Sequence, residues 1–65
     1  MNLTEAVRTT EVMRKYGGRF MRSLIEPLLY ADEINRQRLL DAFPEIEGIY
    51  GPGTAAYKAL YGEAA

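Results

Sequence analysis

The sequence predicts an all-α protein: a compact bundle of three to four short helices around a central helix kinked at Pro27. Three observations carry that expectation. Apolar residues recur at spacings of three and four, strict alternation is absent, and Gly, Pro or Asp punctuates the chain at intervals suited to short helices. A chain of 65 residues accommodates one small domain, residues 1–65, and it shows no internal repeat or low-complexity stretch.

The first helix is expected over residues 5–15, with Thr4 as N-cap and Tyr16-Gly17-Gly18 as the stop. Leu3, Ala6, Thr10 and Met13 fall on one face, and Val12 and Tyr16 on another, which admits a break near Thr9-Thr10. The second segment, residues 19–30, has the widest apolar arc. At 100° per residue Phe20, Met21, Leu24, Ile25, Leu28 and Leu29 cover a half-circle, while Arg19, Arg22, Ser23, Glu26 and Tyr30 occupy the other half. Such an arc needs neighbours on more than one side, so this segment is expected at the centre. Pro27 removes the bond to the Ser23 carbonyl. Ser23 lies on the polar half, where water can replace that bond, so one kinked helix is expected rather than two.

Asp32 reads as the N-cap of a third helix over residues 33–43, with Glu33 favourably placed in its first turn. Leu39, Ala42, Phe43 and Ile46 are expected to face inward, Leu40 to flank them, and Arg36, Arg38 and Asp41 to project outward. Pro44 ends the helix. After residues 45–50 and the turn Gly51-Pro52-Gly53, a short last helix is capped by Thr54, carries the stripe Tyr57, Leu60 and Tyr61, and closes at Gly62.

Composition excludes much chemistry. With no His and no Cys, zinc sites built on imidazole or thiolate, disulfides, thiol nucleophiles and His-based general base catalysis all disappear. Glu45 and Glu47 flank Ile46, but no nucleophile or base accompanies them and the ligand density of a calcium loop is missing. An acidic surface is the simpler reading. No enzyme, cofactor or metal is therefore expected. The opening Met1-Asn2-Leu3-Thr4-Glu5 does not read as a signal peptide, and no apolar run approaches the roughly 20 residues of a membrane span. A cytoplasmic location is expected. A core this small leaves a narrow stability margin, which makes burial against another chain, including self-association, a reasonable expectation.

Charge is unevenly placed. Residues 8–38 hold seven basic and four acidic groups, a balance of +3; residues 39–65 hold one basic and four acidic, a balance of −3; Glu5 supplies the last −1 of the net −1. Arg14, Lys15, Arg19 and Arg22 surround Gly17-Gly18 and could receive an acidic protein surface or phosphates. The plainer alternative is a solvated face, partly paired internally, for instance Arg22 with Glu26 at i, i+4. Gly17-Gly18 could cradle an anion at a helix start, but no Lys-Ser/Thr follows, and a left-handed helix C-cap is the simpler reading. A helix-turn-helix across residues 5–30 fits poorly: half of its second helix is apolar, Glu26 and Pro27 interrupt it, and the chain is not basic. Tyr50, Tyr57 and Tyr61, next to Ile49 and Leu60, form a second candidate contact surface, because Tyr offers large area at low rotamer entropy. The same rings could equally complete the core.

The run Glu11-Val12-Met13-Arg14-Lys15-Tyr16-Gly17-Gly18-Arg19-Phe20, followed by Leu24, Tyr30-Ala31-Asp32, Asn35, Leu39 and Ala42-Phe43-Pro44-Glu45, resembles small helical proteins encoded by bacteriophages and prophages. The resemblance covers residues 11–45 and contains no motif diagnostic of activity. Pro27 departs from the pattern. What the resemblance implies is a mobile-element origin and a bacterial host cytoplasm. The functional expectation is thus a non-enzymatic module that binds a host or phage protein complex stoichiometrically, for example as a counter-defence inhibitor. Its partner-binding residues would be Arg14, Lys15, Arg19, Arg22, Glu45, Glu47, Tyr50, Tyr57 and Tyr61. The alternatives are a dimeric nucleic-acid-binding regulator and a virion structural or assembly accessory.

Overall fold

Asn2 and Glu5 start the first helix through a reciprocal pair of bonds. The Asn2 side-chain oxygen accepts from the Glu5 backbone N–H at 2.8 Å, and the Glu5 carboxylate accepts from the Asn2 N–H at 3.1 Å. This capping box needs Glu three residues after the cap, which Asn2 has and Thr4 lacks. The cap is therefore Asn2 rather than Thr4. In the computed structural model, which describes residues 1–62 and so leaves residues 63–65 of the expected domain outside the description, α1 spans Leu3–Tyr16 without a break at Thr9-Thr10. Its inner face is Ala6, Thr9, Thr10, Val12 and Met13. Leu3 is exposed because the packed arc is centred between Val12 and Thr10 rather than on the Leu3 side, and Tyr16 is exposed at the last position of the helix. Thr10 stays inside the helix by donating its hydroxyl to the Val7 carbonyl at 2.7 Å.

Residues 19–30 form two helices, α2 (Arg19–Ser23) and α3 (Ile25–Tyr30), in place of the single kinked helix read from the sequence. Leu24 occupies the joint at φ −89°, ψ −5° and donates its N–H to Met21 at 3.1 Å; helical bonding resumes with Leu28 to Leu24. Starting a fresh helix at Ile25 puts Pro27 in a first turn, where its missing N–H has no intrahelical partner to lose. Ser23 is exposed, so its carbonyl faces water. The wide apolar arc narrows accordingly: Met21, Ile25 and Leu28 are buried, Leu24 and Leu29 half-buried, and Phe20 is 57% exposed.

Asp32 caps α4 (Glu33–Ala42), accepting from the Asn35 N–H at 2.8 Å. Arg36 and Leu40 are the buried side chains of α4. Arg36 thus turns inward, contrary to expectation. Ile34, Leu39 and Leu40 are dispersed around the helix and make no single apolar stripe, so the position one turn before Leu40 is turned inward with it. There its guanidinium finds acceptors in the Met1 and Ala31 carbonyls at 3.4 and 3.3 Å. Ala42 is exposed and Leu39 and Phe43 are half-buried, so the expected inner face has rotated toward Leu40. Arg38 and Asp41 project outward as expected.

Past Pro44 the chain forms a π-helical turn, Ile46–Tyr50. The wider turn carries both Ile46 and Tyr50 into the core and leaves Ile49 outside. Gly51 follows so closely that a Cβ there would sit 2.8 Å from the Glu47 backbone. Gly53, at φ +88°, completes the turn into α5 (Ala55–Tyr61), which Thr54 caps and Gly62, at φ +84°, terminates. α2, α3, the π turn and α5 pack around α1. Val12, Met13, Met21, Ile25, Leu28, Leu40, Ile46, Tyr50 and Tyr57 form one apolar cluster. The radius of gyration, 10.6 Å, agrees with about 10.7 Å for a folded chain of this length.

Candidate interaction surfaces

Gly17 builds the corner between α1 and α2 by having no side chain. Its backbone is extended (φ −80°, ψ 156°), not left-handed, and its N–H donates to the Met13 carbonyl at 2.8 Å. A Cβ there would meet that carbonyl oxygen at 2.5 Å and the Met21 Cβ at 2.9 Å. The glycine is therefore required for close approach rather than for its conformational range. Being buried and already bonded, it does not present its N–H to an anion.

That tight corner gathers the four predicted cations. Arg14 and Lys15 stand in the last turn of α1, Arg19 and Arg22 on α2, and all four are exposed. The Arg22 Nε donates to the Arg14 carbonyl at 3.2 Å, placing a guanidinium at the negative end of the α1 dipole. Among the described residues one ion pair forms, Glu11 with Arg14 at 3.6 Å, both side chains exposed. The expected Arg22–Glu26 pair is absent among the described residues, because the joint at Leu24 takes the two out of a common helix. Lys15 holds its ammonium 5.4 Å from the Tyr16 ring. Tyr16 and Phe20 are exposed beside the cations, and Phe20 sets its ring edge-on to Phe43 at 5.6 Å. The corner is cationic and aromatic together.

The second predicted surface divides. Tyr57 is 1% exposed and Tyr50 9%, so both are core residues and offer no ring to a partner. Tyr61 is half-buried, its ring tilted against Tyr57 with centres 5.3 Å apart and the Arg8 guanidinium 5.2 Å from its own ring centre. Burial, reinforced by the Glu11 carboxylate and by Tyr57 against the opposing Arg8, pushes the Tyr61 hydroxyl above its ordinary value of 10.0. What remains outside is Glu45, Glu47 and Ile49, an acidic ridge along the π turn. No three His, Cys, Asp or Glu side chains among the described residues gather into a group able to hold a metal ion.

A feature missed from sequence lies between α3 and α4. A groove of about 640 Å³ is lined by Pro27 and Tyr30 from α3 and by Asn35, Arg38, Leu39 and Ala42 from α4. On its lining Tyr30 is 81% exposed; Ile34, which lines a separate hollow with Met1, Arg36 and Gln37, is 75% exposed. The available signal was the dispersal of apolar residues around α4, which leaves that helix unable to bury them all on one side. No family model, curated protein or solved structure matches this chain.

Proposed function

We propose that this protein is a non-enzymatic binding module that acts stoichiometrically on another protein through the corner of α1 and α2. The carrying observation is that Lys15, Arg19 and Arg22 stand exposed at one corner without a carboxylate partner among the described residues, next to exposed Tyr16 and Phe20. Arg and aromatic side chains supply a disproportionate share of interface energy, and a local excess of one sign steers association with a surface of the other. The partner surface is accordingly acidic. A phage-encoded inhibitor that blocks or redirects a host complex is the concrete form of this reading.

Phosphates are the rival ligand for these cations. Two observations favour protein over duplex DNA: α2 has only five residues, about 7.5 Å of helix, too short to read a groove, and the chain carries net −1, whereas DNA-binding domains are basic. The test is titration into labelled duplex DNA at two salt concentrations. Binding no tighter than the non-specific range, about 10⁻⁴ to 10⁻⁶ M at physiological salt, is expected. Tight, steeply salt-dependent binding lost in Arg14→Ala and Arg19→Ala would transfer the corner to a nucleic-acid-binding regulator.

A further inference from the structure

We propose that the groove between α3 and α4 is a contact face for a second copy of this chain, with Arg38 on its rim meeting Glu45 and Glu47 of that copy. This goes beyond the reading of the α1–α2 corner and does not depend on it. The groove exposes the Tyr30 ring beside a half-buried Leu39. An exposed Tyr of this kind belongs to the residue types enriched at interface centres. The occupant is indicated by charge. Arg38 has only the Asn35 side-chain oxygen, at 3.3 Å, as a polar partner, and no carboxylate pairs with it among the described residues. Glu45 and Glu47 are exposed and likewise without an ion pair among the described residues.

These complementary groups are close along the chain. Glu45 follows Ala42, a lining residue of the groove, by three positions, which holds its Cα within about 11 Å of the groove's edge. With an open cation on the flank of the groove and open carboxylates just past the end of α4, the patch becomes self-complementary about a two-fold axis: Arg38 of each copy meets the acidic ridge of the other, and the Tyr30 and Leu39 surfaces lose water together. A standard interface of about 800 Å² per partner would take roughly a fifth of the 4137 Å² surface of this chain. Dimerisation would also place two cationic corners on one particle, raising avidity for an acidic target.

Sedimentation velocity on the full chain across about 1–300 μM tests the proposal, since a dissociation constant in the micromolar range falls inside it. Wild type is expected to dimerise within that range. Arg38→Glu alone and the pair Glu45→Arg, Glu47→Arg alone are each expected to weaken dimerisation by at least about tenfold, with helical circular dichroism unchanged because all three side chains are exposed. An equimolar mixture of the two variants restores both contacts in a heterodimer and is expected to sediment as a dimer again. A wild type that stays monomeric, variants that dimerise as wild type does, or a mixture that fails to reassociate would each overturn it. Whether each corner binds an acidic protein or a duplex is read separately with monomeric variants, where loss of the dimer removes only the added avidity, so either proposal can fail without the other.

Discussion

Replacing Gly17 by alanine adds one methyl group at a place where the backbone conformation, φ −80° and ψ 156°, suits any residue. All of its cost is therefore steric. The new Cβ would lie 2.5 Å from the Met13 carbonyl oxygen and 2.9 Å from the Met21 Cβ, and neither is the far end of a flexible side chain. Relief requires α2 to move away from α1, loosening the buried Met13–Met21 contact region. Overpacking of this kind costs about 1–3 kcal/mol, against a total of about 3–10 kcal/mol for a chain of this size. In a domain this small each kcal/mol shifts the melting temperature by about 4–8 °C, so a loss of at least about 4 °C is expected for Gly17→Ala in calorimetry. Gly18→Ala provides the control. A Cβ there meets nothing within 4 Å, and the entropy lost from the unfolded chain roughly offsets the weaker N-cap of α2, leaving about 0.5 kcal/mol or less. Equal melting of Gly17→Ala and wild type would refute the close-approach role, and a larger loss at Gly18 would show that the pair serves backbone conformation instead.

Three further outcomes follow from the same packing. Asn2→Ala breaks the capping box and is expected to cost about 1 kcal/mol in urea unfolding, while Thr4→Ala, now known to lie inside α1, costs about 0.5 kcal/mol or less. Arg36 is buried without a carboxylate, its Nε has no partner and its two bonds are long; Arg36→Met is therefore expected to raise stability by about 1 kcal/mol, and a loss of that size would show the two carbonyl bonds outweigh the buried charge. The raised Tyr61 hydroxyl holds its proton more tightly in the folded chain than in the unfolded one. Its contribution is fully present below the ordinary value of 10.0 and is lost as pH rises toward the folded value, so urea midpoints should fall above about pH 10 in wild type, and this component should vanish in Tyr61→Phe.

The helical class was legible because its signals are local. Spacing of three and four, Asp32 and Thr54 as caps, Pro44 and Gly62 as stops are decided within one turn of the chain, and each appears in the structure where the sequence places it. Features set by packing were less readable. Pro27 announced a defect, but whether it kinks one helix or starts another depends on Met21, Ile25 and Leu28 reaching α1 together. The π turn arises from the need to seat both Ile46 and Tyr50 inward, a condition no short-range pattern states. Arg36 points inward because α4 lacks an apolar stripe and acceptors wait at Met1 and Ala31. Among the candidate contact residues, Arg14, Lys15, Arg19, Arg22, Glu45 and Glu47 are on the surface, whereas Tyr50 and Tyr57 complete the core. Aromatic residues suit both roles, and only the fold distinguishes them.

The most direct test of the cationic corner as a protein-docking surface is quantitative affinity capture from nuclease-treated lysate of the cells in which the protein is made, using wild type and the double variant Arg19→Glu, Arg22→Glu as parallel baits. Both substitutions lie on exposed positions of α2, so both baits are expected to fold. The account predicts an acidic protein retained in near-stoichiometric amount by wild type and lost from the charge-reversed bait. Identical protein sets on the two baits, or no protein retained by wild type once nucleic acid has been digested, would contradict it.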